Sequence, residues 1–301
     1  MVGKAFYAEL PTEKPNPASQ KLDQLTPFAI VSLMNREDRR VVEAVRRVRR
    51  EIAQSVAMIV EALSSGGRLF FVGAGTSGRL GVLESAECPP TFNTSASLVQ
   101  AIMAGGKRAV FRSREGAEDQ ADEGRRAVRA RVRAGDVVVG IAASGVTAFV
   151  RGALAEAKRQ KARRVLVAAN AKSPMTSVAD SVIALRVGPE ILTGSTRLKA
   201  GSATKMILNM LTTASMVQLG KVYGNFMVDL QPKSKKLKAR ALRLIVELGG
   251  VSADEARRYL RQAKGRAKVA VLMARTGLSY RQALHRLAES KGLLRSCLDE
   301  R

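Results

Sequence analysis

Five carboxylates fall in two short stretches, Leu83-Glu84-Ser85-Ala86-Glu87-Cys88-Pro89-Pro90 and Arg114-Glu115-Gly116-Ala117-Glu118-Asp119. Glu84 and Glu87 lie three residues apart and share one face of a helix, which Pro89 and Pro90 are expected to end. Glu115, Glu118 and Asp119 open a second helix, where acids often serve only the helix dipole. Spacing leaves both a structural role and proton transfer open for each. His285 is the only histidine, so a His-rich zinc site or a Ser-His-Asp triad would have to use it, and proton transfer falls most naturally to Glu or Asp. His285 stands between Leu284 and Leu287 on an amphipathic stretch, which predicts a packed or surface role. Cys88 and Cys297 are the only cysteines, too few for a zinc ribbon or disulfide framework and in keeping with a reducing compartment. No histidine neighbours Cys88 in sequence, and a buried thiol is the expectation there.

Three hydroxyl-rich turns could hold an anion. Gly73-Ala74-Gly75-Thr76-Ser77-Gly78 follows an apolar run and opens a helix. It fits the G-x-G-x-x-G dinucleotide pattern, yet no acidic residue stands between Pro89 and Lys107 to hold a ribose. Hydroxyls and free backbone N–H groups at a helix N-terminus instead suit a phosphate. Ala143-Ser144-Gly145-Val146-Thr147 repeats this chemistry, and Leu192-Thr193-Gly194-Ser195-Thr196-Arg197 does so again. Ser, Thr and Gly also simply build turns, but three such turns, two of them directly after strand-like runs, point to a phosphate site.

The elements that must position these residues follow from hydrophobic periodicity. Nearly continuous apolar runs at Arg68–Val72, Leu98–Met103, Val137–Ile141, Val165–Ala169 and Val182–Val187 read as strands buried on both faces. Helical stretches near Gly78–Glu87, Ala117–Arg133, Ala148–Lys161 and Ser202–Leu219 alternate with them. The pattern predicts an α/β three-layer sandwich around a mostly parallel five-stranded sheet, with ligands at the carboxyl ends of its strands. Upstream, helices are expected near Pro27–Met34 and Arg39–Leu63. Downstream, Gln231-Pro232-Lys233-Ser234-Lys235-Lys236 reads as a linker to three short helices near Ala253–Gln262, Ala267–Thr276 and Tyr280–Glu289. Ser252 and Ser279 occupy N-cap positions and Gly265 and Gly277 stop positions.

Charge is the outlier of the composition: 51 Lys and Arg against 26 Asp and Glu give a net charge of +25 in 301 residues. Such a field attracts nucleic acid, anionic lipid or phosphorylated metabolites alike. Aromatic residues are only 4% of the chain, so no stacking platform for single strands is visible, and no specific nucleic-acid partner is expected. The uncharged, apolar stretch Met206–Gly220 falls short of a membrane span, and Met1–Pro17 carries no basic-then-apolar leader pattern. The expectation is a soluble cytoplasmic protein without a membrane partner.

On these residues the chain resembles the N-acetylmuramic acid 6-phosphate etherase family, whose fold is that of the sugar isomerase (SIS) domains. The shared blocks are Asn16–Ser19, Leu33–Asn35, Gly73–Leu83, Glu87–Phe92, Glu115–Asp119, Gly194–Gly201 and Gly220–Asn225, and they span nearly the whole chain. The resemblance implies an N-terminal helical segment (1–58), an SIS sugar-phosphate-binding domain (59–224), and a linker with a C-terminal helical, UBA-like domain (225–301). It implies cleavage of the D-lactyl ether of N-acetylmuramic acid 6-phosphate to N-acetylglucosamine 6-phosphate and D-lactate, by elimination and hydration, without metal or other cofactor, in a homodimer. Glu87 matches the family's acid for lactate departure and Glu118 its second carboxylate, the C2 base. Burial is expected to keep the acid protonated. Phosphate binding falls on Ser77, Ser144 and Thr147, with Thr76 and Ser195 as further candidates, and Glu190 is placed to meet sugar hydroxyls.

The chain also departs from the family pattern. Val146 stands where Arg is usual and Ala148 where Pro is usual, while Ala171-Lys172 replace a Pro-Gly after Asn170. A non-catalytic sugar-phosphate sensor is the alternative reading, since SIS domains also serve as sensors. Ala274–Ser279 between two short helices could then be a helix-turn-helix or an ordinary capped turn.

Overall fold

The computed structural model describes residues 9–230, 232 and 234–298. The segment before Glu9, and Gln231 and Lys233 of the expected linker, lie outside the described residues. The chain divides into two units, Met1–Ala86 with Ser97–Thr212, and Glu87–Ala96 with Thr213–Arg301.

The first unit holds the sheet. Its strands β1 (Leu69–Gly73), β2 (Val99–Met103), β3 (Val137–Ile141), β4 (Arg163–Ala168) and β5 (Ser181–Ala184) lie in the order β2-β1-β3-β4-β5. All four pairings are parallel, with Leu69 opposite both Val99 and Val137, Val137 opposite Arg163, and Val165 opposite Ser181. Every residue of β1 and β3 is buried, because helices cover both faces. Phe70, Val72, Val138 and Leu166 point into a core closed by Val128 of α5 (Ala121–Arg129) and by Phe149, Val150 and Leu154 of α6 (Ala148–Arg159). Against the other face lie α2 (Arg49–Ser64), hydrogen-bonded to β5 through Ser55 and Ser181 at 2.9 Å, and α3 (Gly75–Phe92), whose Gly81 rides on Phe71. A short helix α4 (Arg108–Phe111) follows β2, and α7 (Lys199–Gln218) follows β5.

Among the boundaries that differ from the sequence expectation, three concern helices around the site. The upstream break falls at Val48, between α1 (Pro27–Arg47) and α2. The apolar spacing runs through the break because both helices turn one buried stripe (Val41, Val45, Ile52, Val56) inward. Second, α3 continues through Pro89 and Pro90. Each proline removes the N–H that would bond to Ser85 or Ala86 and sets its ring against that carbonyl, yet the helix runs on to Phe92, and the Asn93 N–H closes its last turn on the Pro89 carbonyl at 3.0 Å. Third, the stretch expected as one helix from Ala117 starts with a separate 3₁₀ turn, Ala117–Asp119, led by Gly116 at φ 71°. Gln120, at φ −85° and ψ 77°, divides this turn from α5.

The second unit carries a two-stranded hairpin, β6 (Val222–Tyr223) with β7 (Phe226–Met227), and five helices after it. The three expected helices are α9 (Ala253–Gln262), α10 (Ala267–Thr276) and α11 (Tyr280–Glu289). Ser252 and Ser279 form capping boxes with Glu255 and Gln282, and Gly277 ends α10 in the left-handed region. Ala274–Ser279 is thus a capped turn. Two helices were not expected: α8 (Lys235–Gly249) and α12 (Leu294–Leu298). The lysine run read as linker is the first turn of α8, capped by Ser234 on the Leu237 N–H at 3.2 Å. Ala241, Leu244 and Ile245 of α8 join Ala270, Ala283 and Leu294 in one core. No helix among the described residues is long and apolar enough to cross a membrane.

Candidate active site

The first hydroxyl-rich turn depends on two glycines. A Cβ on Gly73 would stand 2.7 Å from the Gly78 nitrogen, and one on Gly78 would stand 2.6 Å from the Gly73 carbonyl. Only at that closeness does β1 pass directly into α3, putting half-buried Thr76 and Ser77 in the helix's first turn. The opening N–H groups of a helix have no partner within it and sit at the positive end of its dipole. Arg79, one turn on, donates to the carbonyls of Ala109 and Val110 at 2.9 and 2.8 Å. It ties α3 to the segment that leads to Glu118.

The turn after β3 is fastened from the next strand. Asn170, beyond β4, donates from Nδ2 to the Ser144 carbonyl at 3.1 Å and accepts the Lys172 N–H at 2.9 Å. Ser173 donates its hydroxyl to the Gly145 carbonyl at 2.5 Å. Gly145 has φ 74°, and a Cβ there would lie 2.7 Å from that of Ser173. Within the turn, Ser144 Oγ accepts the Val146 N–H at 3.3 Å. Thr147 occupies the N-cap of α6 without capping it through its side chain. The hydroxyls of Ser144 and Thr147 therefore flank a second helix N-terminus.

The third turn stands against the first, for Thr76 Cγ2 lies 3.6 Å from the position of a Cβ on Gly201, in the first turn of α7. Ser195 is half-buried in this turn, its N–H on the Leu192 carbonyl at 3.0 Å. Glu190 has a different place from the one expected. Both of its oxygens accept backbone N–H groups of α7, from Lys199 at 3.0 Å and Ala200 at 2.8 Å, and the residue is 1% exposed. Burial raises its carboxyl above the ordinary value, against the lowering pull of the Ala200 and Lys199 amides and the Lys199 charge. Glu190 caps α7 rather than offering a free carboxylate to a sugar. Beside it lies a network that sequence reading missed. Buried Lys199 pairs with buried Glu37 of α1 at 2.6 Å, and Asn16 donates to the same Glu37 oxygen at 2.8 Å. Burial alone would raise Glu37, but the Lys199 and Asn16 hydrogen bonds and the Lys199 charge bring it below the usual range.

The acids separate into two kinds. Glu84 is buried and accepts from Thr212 at 2.5 Å and Asn209 at 2.8 Å, both on α7, so it joins α3 to α7. Glu118 is exposed on its 3₁₀ turn, which is anchored by Ala117 in the core beside Val72 and Ala104 at the carboxyl ends of β1 and β2. Partial desolvation, followed by the Asp119 and Glu115 carboxylates, raises the Glu118 carboxyl above its ordinary value. Thr76 and Ser77 follow β1, Glu118 follows β2, and Ser144 and Thr147 follow β3, so these residues come after the carboxyl ends of three adjacent parallel strands of the first unit, with Ser195 in the turn before α7. Glu87, in the second unit, is exposed on the last turns of α3. The burial expected of Glu87 is absent. Cys88 is buried, and His285 is exposed with its Nε2 3.3 Å from Glu289 Oε1. No group of three or more His, Cys, Asp or Glu among the described residues could hold a metal ion.

Comparison with known proteins agrees with this architecture. Residues 51–158 match the glucokinase regulatory protein N-terminal SIS domain, and residues 118–214 match the SIS domain. A phosphoheptose isomerase from Francisella tularensis superposes with a TM-score of 0.50 at 17% identity, over 66% of this chain and 99% of that one, which shows the fold alone. An N-acetylmuramic acid 6-phosphate etherase from Geobacillus thermodenitrificans is 48% identical over 291 residues, 96% of this chain and 99% of its own. Another from Cutibacterium acnes is 48% identical over 96% of this chain and 95% of its own. At that identity over nearly the full length of both partners, the chain belongs to the N-acetylmuramic acid 6-phosphate etherase family.

Proposed function

We propose that this chain cleaves the D-lactyl ether of N-acetylmuramic acid 6-phosphate, giving N-acetylglucosamine 6-phosphate and D-lactate. The observation that carries the reading is the near-full-length identity to etherases; the turns described above supply the chemistry. The 6-phosphate lies against the helix N-termini at Ser77 and at Ser144 and Thr147, with Thr76 and Ser195 alongside. In the open-chain sugar the aldehyde acidifies the C2 proton. Glu118 takes that proton, for which a carboxyl raised toward neutrality is the better base. The C2 electron pair forms the C2–C3 double bond, and the C3–O bond breaks with its electrons going to the lactate oxygen, which Glu87 protonates. Water then adds across the conjugated double bond, its oxygen to C3 and a proton to C2. None of these steps calls for a nucleotide or a metal.

A second copy of the chain completes the reading. Phe28, Val31 and Val42 of α1 are 83, 64 and 60% exposed and share one side of the helix, an apolar surface suited to a homodimer. The reaction belongs to amino-sugar recycling in the cytoplasm.

The test is incubation with N-acetylmuramic acid 6-phosphate in deuterated water. Release of D-lactate with deuterium at C2 of the product is expected. Lactate release with no label at C2 would remove the elimination step, and no lactate at all would remove the function.

A further inference from the structure

The second unit contains a cavity of about 520 Å³ between the α9–α10 junction, the turn after β7, and α11. This volume lies within the range of small-molecule sites. Lys264, Arg266 and Lys268 line it together with one carboxylate, Asp229, and Leu284 and Leu287 supply an apolar wall. Lys268 is 7% exposed, and its Nζ donates to the Gly220 carbonyl at 2.7 Å and reaches Asp229 Oδ2 at 3.3 Å. Lys221 reaches the same oxygen at 3.0 Å. Two amino groups thus share one carboxylate, that of Lys268 buried and that of Lys221 partly exposed. Burial draws the Lys268 ammonium below its ordinary pKa, with Asp229 opposing. Buried charge of this kind is costly unless a counter-charge meets it. Arg266 is the N-cap of α10 and makes no side-chain cap, so the opening amides of a ten-residue helix add their dipole at the same place. The Gly220–Asn225 block, which the phosphate turns and the two glutamates leave without a role, begins at the Gly220 carbonyl and Lys221 of this cluster.

We propose that this cavity binds a small phosphomonoester, its phosphate held by Lys264, Arg266, Lys268 and the amides opening α10, and its carbon body against Leu284 and Leu287. The site is separate from the sugar-phosphate turns of the sheet and regulates or retains rather than transforms its ligand, since no unpaired acid or nucleophile lines it.

Equilibrium dialysis of the full chain against labelled inorganic phosphate tests the assignment. The unmodified chain is expected to hold two phosphates. K264Q/R266Q, which changes two exposed side chains, should weaken one of them by about ten-fold or more and leave lactate release intact. S144A/T147V should lose the other phosphate along with lactate release. Unchanged binding in K264Q/R266Q overturns the proposal, as does a single phosphate in the unmodified chain that S144A/T147V abolishes. Neither result touches the etherase reading, which fails separately if no lactate appears. A short oligonucleotide that binds the unmodified chain, displaces the K264/R266-dependent phosphate and outcompetes glucose 6-phosphate would also overturn the small-ligand assignment. Circular dichroism of the double variant, alongside K268M, separates loss of a site from loss of the fold.

Discussion

Glu37, Glu84 and Glu190 are buried, and each accepts at least two hydrogen bonds. Glu87 and Glu118 are exposed, and neither side chain has an ion pair or hydrogen bond among the described residues. Glu84 and Glu87 make the contrast sharpest, being one turn apart on the same helix. A carboxylate whose acceptor sites are filled by the scaffold has nothing left for a substrate. One held at the rim by its backbone, as Ala117 anchors Glu118, keeps its oxygens for chemistry. The buried acids of this chain hold its elements together, whereas the side chains of Glu87 and Glu118 are exposed.

Substitutions on the two sides of this divide should separate activity from stability. The largest effect is expected from Glu118→Gln and from Glu87→Gln, each lowering kcat by about 10²–10⁴-fold while leaving the chemical denaturation midpoint in place. A midpoint that falls with the activity would put these residues on the scaffold side. Glu37→Gln should leave the Lys199 ammonium buried without its counter-charge and cost about 3–5 kcal/mol in urea denaturation. Because Glu37 is held below the usual carboxyl range, its contribution is present above the unfolded value and is lost as pH falls through the folded one; the urea midpoint of the unmodified chain should fall accordingly in acid, and less so in Glu37→Gln. Glu190→Ala, which strips the cap from α7, should cost about 1–2 kcal/mol. Should Glu190→Ala instead raise KM strongly at unchanged stability, the cap assignment fails and a sugar contact returns. The smallest effect concerns Glu115→Gln with Asp119→Asn. Removing both neighbouring charges lowers the raised Glu118 value, so a base that must be ionised works at lower pH and the acid limb of kcat/KM moves down by a fraction of a pH unit. An unmoved limb would detach that limb from Glu118.

The sheet was readable because strands buried on both faces must be apolar throughout, and the five runs have no other explanation. The hydroxyl turns were readable because Gly73 and Gly78 leave room for nothing larger. What escaped was long-range. Glu37 and Lys199 are 162 residues apart, and no spacing rule connects them. Glu190 sits beside a hydroxyl turn in sequence, which suggested a sugar contact, yet its oxygens reach forward nine and ten residues to cap a helix. Glu84 and Glu87 share a helical face on paper, and only the partners on α7 tell them apart. Helix α8 was hidden by its own charge: the lysines that mimic a linker occupy a first turn, and the periodic Ala241, Leu244 and Ile245 follow only later. Pro89 and Pro90 suggested too early a stop, since the helix runs on through both to Phe92 although each removes one backbone donor.

The loop after β4 alternates two kinds of position. Asn170 and Ser173 are buried and grip the neighbouring turn, while Ala171 and Lys172 face solvent. A lineage drifting through sequence space, or a randomised library, can rewrite the middle pair without disturbing Ser144 and Thr147. Changing either outer residue removes a hydrogen bond that fastens the turn carrying Ser144 and Thr147. The departures at Ala171 and Lys172 fall on the tolerant pair, so the chain has varied where its architecture left it at liberty.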